Sequence, residues 1–111
     1  MEQIMAKYIF VYKANEANDW SKLPESEVKK VMDAWGEFLG SIGSSLIDRG
    51  DAFKFGGKSV SQSGVKDADN LLTGFSVIEA KDFDDALAKA QSAPNILSGQ
   101  GTIEVYEAFG V

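Results

Sequence analysis

Hydrophobic period changes several times along this chain, and each change marks an element. Residues 7–13, KYIFVYK, form an aromatic and β-branched run, the mark of a first strand, with Ile9 and Val11 on one face and Tyr8, Phe10 and Tyr12 on the other. After the polar loop NEANDW, Ser21 or the Leu23-Pro24 junction opens a helix. Pro24 is tolerated in its first turn, and Glu25 and Glu27 complement the helix dipole. Val28, Val31, Met32, Trp35, Phe38, Leu39 and Ile42 then recur at helical spacing as one apolar stripe that needs a sheet beneath it. Gly36, Gly40 and Gly43 lie on one flank of that stripe; each costs about 1 kcal/mol relative to alanine, which predicts a closely packed neighbour there.

Residues 44–50, SSLIDRG, extend the helix briefly before Gly50 ends it, and AFKFGGKSV reads as a second strand with a bulge or bend at Gly56-Gly57. The segment SQSGVKDADN has no apolar period and is predicted as the longest loop. LLTGFSVIEA then places Phe75 and Val77 on one face of a third strand, with Gly74, Ser76 and Ile78 on the other. Asp82 caps a second helix with the stripe Phe83, Ala86, Leu87 and Ala90, and Pro94 marks its end. TIEVYEAF is a fourth strand alternating Ile103 and Val105 against Thr102, Glu104 and Tyr106. The order βαββαβ predicts an α+β, ferredoxin-like domain: a four-stranded antiparallel sheet with two helices on one face.

If Ile9, Val11, Phe75, Val77, Ile103 and Val105 face the helices, the opposite face carries Tyr8, Phe10, Tyr12, Ser76, Glu104 and Tyr106. That face is too aromatic for bare solvent, so two sheets packed face to face are expected and the protein is read as a homodimer. The alternative is a monomer whose 61–70 loop folds over the face.

With 111 residues and two prolines, the chain is expected to be one domain over residues 1–111. It contains neither histidine nor cysteine. The commonest acid–base group, the thiol nucleophile and the soft metal ligands are therefore missing, and neither metal nor cofactor is implied. The absence of cysteine suits a reducing interior, and MEQIMAKYIFVYK lacks the features of a signal peptide, so cytoplasm is the expected location. A net charge of -6 repels nucleic acid and anionic lipid, so neither is an expected partner.

The runs MAKYIFVYK, VMDAWGEFLGSIGSSLIDRG, GKSV, LTGFSVIEAKDFDDALAKAQSAP and GTIEVYEAF together resemble the YCII-related family over residues 5–109. The resemblance implies a ferredoxin-like fold pairing into a dimeric α+β barrel with clefts between sheet and helices. In a subset like the founding member it also implies a histidine on the first helix and an aspartate in an Asp-Pro-Tyr motif. Here the helix offers Asp33, Ala34 and Trp35, and the motif position reads Ala93-Pro94-Asn95. The resemblance carries over the fold and not the dyad; relatives that bind haem or cleave through histidine are equally poor guides.

Among the remaining constellations, GGKS at 56–59 resembles the end of a phosphate-binding loop, but Ala52 stands where its first glycine belongs. Lys58 and Ser59 can still offer a cation and a hydroxyl to a small anion, or remain a solvated edge. Asp67, Asp69 and Asn70 fall short of a calcium loop and read as loop solvation. Trp35 sits mid-stripe, where a core role outweighs that of a ligand wall. Glu104 has two readings. Desolvated among Tyr8, Tyr12 and Tyr106, its pKa rises and it serves as general acid or base; in the favoured reading it lies near the sheet edge, hydrated or hydrogen-bonded to a tyrosine across the dimer.

Two functions follow, with the first slightly ahead. The protein is a homodimer holding a small molecule in a sheet–helix cleft, with no assigned reaction. Alternatively, it is an enzyme whose cleft is lined by Trp35, Tyr8, Phe55, Ser76 and Tyr106, with Glu104 as acid or base and Lys58 and Ser59 orienting an anionic substrate.

Overall fold

Two long strands, β1 (Ala6–Ala14) and β5 (Leu72–Ala80), pair antiparallel at the centre of a four-stranded sheet in the computed structural model, which describes residues 5–110. The short β2 (Leu46–Asp48) and β6 (Gly101–Glu107) form the edges, giving the order β2-β5-β1-β6. Helix α1 (Glu25–Ile42) and helix α2 (Phe83–Ala90) supply the two crossovers, and a short α3 (Pro94–Leu97) leads into β6. This is the expected ferredoxin-like α+β fold. No helix among the described residues is long and apolar enough to cross a membrane.

One face of the sheet is packed on the helices, and it is the aromatic one. Tyr8, Phe10 and Tyr12 are buried together with Ser76, Ile78 and Ala80. The Tyr12 ring lies 4.6 Å from that of Trp35, itself 5.8 Å from Phe38, and Tyr8 meets Phe83 edge-on at 5.3 Å. The expected orientation holds for β6, whose Ile103 and Val105 pack on the core. It is inverted for β1 and β5, where Ile9, Val11, Phe75 and Val77 point away from the helices and are only half-buried. The reason is volume. Across the central pair Tyr12 stands opposite Gly74, Phe10 opposite Ser76 and Ala6 opposite Ala80, beneath the buried Ala86 and Ala90 of α2. Large aromatics against small partners fill the layer between sheet and helix; the uniform Ile9–Val77 and Val11–Phe75 pairs make a flatter surface.

The edge strand also differs from expectation. Leu46–Asp48 forms β2, not a helical extension, because Leu46 reaches the core from a position opposite Ile78, with a bulge before Asp48. Gly50 then turns the chain at φ 69°, and a Cβ there would lie 1.8 Å from the Phe75 carbonyl oxygen, so only glycine fits. Beyond it the chain runs along β5, with Phe53 N–H donating to the Thr73 carbonyl at 2.9 Å.

The predicted second strand and longest loop instead give a separate hairpin, β3 (Lys58–Ser61) with β4 (Gly64–Asp67), after a bend at Gly56.

Helix α1 buries Phe38 and Leu39 in its second half, whereas Met32 is 61% exposed, so its first half overhangs the core. Nothing approaches within 4 Å of a Cβ built on Gly36, Gly40 or Gly43, which corrects the expectation of a close neighbour there. Gly40→Ala is accordingly expected to stabilise the protein by about 0.5–1 kcal/mol, as helix propensity alone dictates. Chemical denaturation should show a higher midpoint at unchanged slope.

Candidate functional site

The sheet face turned away from the helices carries the most distinctive surface chemistry. Its floor is apolar. Ile9 stands between Val77 on β5 and Tyr106 on β6, and Val11 stands between Phe75 and Glu104. The Phe53 ring leans on Phe75 at 6.2 Å, and Ile47 adds an exposed side chain from the β2 edge. Strand periodicity places these groups on one surface, since side chains two apart share a face.

At the β6 side, a charged group closes the floor. Lys13 Nζ lies 3.2 Å from Glu104 Oε2, and the Tyr106 hydroxyl donates to Glu104 Oε1 at 2.7 Å. The Tyr106 hydrogen bond, with the Lys13 hydrogen bond and charge behind it, holds the Glu104 carboxyl below its ordinary pKa. The same bond pushes the Tyr106 hydroxyl up, keeping it a neutral donor. Of the two environments open to Glu104 the structure has the hydrated, tyrosine-bonded one, with the tyrosine on its own strand: solvent reaches it, and both neighbours favour the carboxylate. Such a carboxylate is a weak base and a good acceptor for ligand hydroxyls.

Because folding lowers this pKa, the group's stabilising contribution is fully present above the ordinary glutamate range. It is lost as pH falls through the lowered folded-state value. Tyr106→Phe removes the main cause, so the Glu104 carboxyl should titrate at higher pH in that variant, read by carbon-detected NMR. An unmoved titration would mean that the hydrogen bond does not form.

The other candidate residues do not join this site. Tyr8, Trp35 and Ser76 belong to the helix-facing layer. There the Tyr12 hydroxyl donates to Ser76 Oγ at 2.8 Å, and Ser76 donates to the Arg49 carbonyl at 2.7 Å. Burial pushes the Tyr12 hydroxyl up, against the Ser76 hydrogen bond, so it remains protonated. Tyr8 reaches Glu107 at 3.4 Å. Lys58 pairs with Asp67 across the hairpin, and Ser59 lies on the same small sheet opposite Lys66. Asp69 accepts from the Leu71 N–H at 3.0 Å, a local turn contact. Phe55 borders a shallow depression with Trp20, Phe53 and Thr73 at the end of the sheet. A single cleft lined by Trp35, Phe55, Tyr8 and Tyr106 is therefore not formed; only Glu104 and Tyr106 meet.

Sequence reasoning missed Lys13, Phe53 and Trp20. Lys13 shares the strand parity of Ile9 and Val11, so it was traceable once the outward face was known. Trp20, a lone aromatic in a polar loop, was visible but unplaced.

The chain matches no protein-family model and no curated protein. Among solved structures it is similar to 5-chloro-2-hydroxyhydroquinone dehydrochlorinase (TftG) from Burkholderia phenoliruptrix AC1100, in complex with 2,5-dihydroxybenzoquinone. The similarity has a TM-score of 0.56 and 14% identity, and covers 90% of each chain. At that identity it establishes the shared fold.

Proposed function

We propose that the protein is a homodimer of the YCII-related kind that pairs through the open sheet face. The paired faces hold a small polar aromatic molecule, with no reaction assigned. The observation that supports this reading is the half-exposed floor of Ile9, Val11, Phe75 and Val77 on the two central strands. An apolar surface of that kind is covered in most folded proteins, and a second copy offers the same surface by symmetry.

The ligand class follows from the neighbours of Val11. A planar ring resting on it meets the Phe75 ring on one side and Glu104 on the other. Ring hydroxyls donate to the Glu104 carboxylate, and an anionic oxygen accepts from Lys13. That a protein of the same fold is known in complex with 2,5-dihydroxybenzoquinone agrees with this class. Catalysis by Glu104 as general base is less favoured, because its lowered pKa makes it a weak proton acceptor. Lys58, committed to Asp67 on the hairpin, is replaced by Lys13 as the cation at this site.

Native mass spectrometry of the protein as purified from cells tests the reading. A mass of twice the chain plus a small organic adduct is expected, with the adduct lost in Glu104→Gln. An empty dimer that also fails to take up 2,5-dihydroxybenzoquinone would remove the ligand site, and a monomer would remove the pairing.

A further inference from the structure

The β3–β4 hairpin has a firmly built root and an unsupported blade. At the root, Asn70, in the left-handed region at φ 60°, accepts through Oδ1 from the N–H groups of Gly56 at 2.9 Å and Gly57 at 3.0 Å. Ala68 N–H closes the stem onto the Gly57 carbonyl at 3.0 Å. Beyond it, Val60 and Val65 face each other across the two strands, 77% and 67% exposed, on the side carrying the Lys58–Asp67 ion pair. A two-stranded hairpin without a third layer is marginal at best in water, so an ordered one with both its valines in solvent lacks a surface to rest on.

Three observations indicate what supplies that surface. First, the hairpin strands pack extensively only on each other. Second, the radius of gyration is 15.4 Å, against about 13 Å for a compact domain of this length, and the chain fits a slab 20 Å thick and 50 Å long. A hairpin that packs extensively on no other element contributes to that extent. Third, four strands at standard spacing and about seven residues' length present roughly 450 Å² in projection, whereas a stable interface takes about 800 Å² from each partner. The sheet face alone is short of that area.

We infer that the hairpin is an exchange arm: in the dimer its Val60–Val65 pair rests on the partner subunit, each copy clasping the other beyond the edge of the paired sheets. The inference rests on the homodimer reading and adds to it a second, separable contact. The occupant is a second copy of this chain, because the open sheet face alone is short of the area a stable pairing takes and the arm carries self-cancelling charge at its base.

The cysteine-free sequence makes the test clean. Val60→Cys places one thiol on the arm, and its reaction with an aromatic disulfide reagent is timed in two backgrounds. These are the parent chain and a chain also carrying Val77→Lys to separate the sheets. Sedimentation establishes the oligomeric state of each. The arm predicts at least a tenfold slower reaction in the dimer than in the monomeric background. A dimer whose thiol reacts at the monomer rate overturns the arm and leaves the pairing standing. A parent chain that sediments as a monomer overturns both. Excising residues 58–67 and joining Gly57 to Ala68 gives a second readout: dimer dissociation should rise at least tenfold while the circular dichroism of the body is retained. Unchanged dissociation would again sink the arm.

Discussion

Phe10→Ala lowers the unfolding free energy by about 3–5 kcal/mol, measured by denaturant titration. The side chain is fully buried at the middle of the central strand, opposite Ser76 on β5 and Val105 on β6. Its ring lies 6.5 Å from Tyr12, which in turn touches Trp35. Truncation leaves a cavity under the helix layer, and the small side chain of Ser76 opposite cannot reach in to fill it. The loss is a large share of the roughly 5–15 kcal/mol by which domains of this size are stable. Phe10→Asp, which adds an unpaired buried carboxylate, is expected to give no folded protein. A well-folded Phe10→Asp chain would show that the aromatic face is not the core.

Val77→Lys has the opposite character. Val77 stands on the neighbouring central strand, β5, one residue from the buried Ile78, but on the open face opposite Ile9. A lysine there can extend into solvent in the monomer, with Glu79 two positions along on the same face, so unfolding free energy should change by less than about 1 kcal/mol. In the proposed dimer the twofold axis would bring two such ammonium groups into the paired faces, away from water. Dissociation should increase at least a hundredfold, the consequence of burying an uncompensated charge. Sedimentation velocity across a concentration series reads this directly. A variant that stays dimeric at low micromolar concentration would place the interface elsewhere.

Phe10 and Val77 also show how far the sequence could be read. Alternation along KYIFVYK and TGFSVIEA divided each strand correctly into two faces, because side-chain direction has period two whatever the surroundings. Which face turned inward was not in that alternation, since both sets are apolar. The deciding property was the volume matching of Tyr12 with Gly74 and Phe10 with Ser76, which exists only once β1 and β5 are paired in register. A similar reason hid the site. Lys13 and Glu104 are separated by 91 residues and meet only because β6 returns beside β1. The sequence named Glu104 and Tyr106 and left a desolvated and a hydrated environment open; the neighbouring lysine and the open edge decide for a stabilised carboxylate.

The edge region was least legible. LIDRG has too few residues to declare a period, so it reads as the helix running on, and the polar hairpin 58–67 reads as the end of a strand followed from Ser61 by a loop, because Val60 and Val65 are its only apolar pair. Asn70, which builds the root of that hairpin, was weighed as a calcium ligand; its role depends on a positive φ that composition does not reveal.

By itself the sequence determined the two central strands, the last strand and the two crossover helices in order, the cap at Asp82 and the helix start at Pro24, and the exclusion of histidine and thiol chemistry. These depend on local periodicity, local hydrogen bonding and residue inventory. Tertiary structure decided which sheet face is core, where the edge strand lies, and which charges meet. Each of those depends on volumes and distances between segments far apart in the chain, and such contacts acquire values only when the strands are in register.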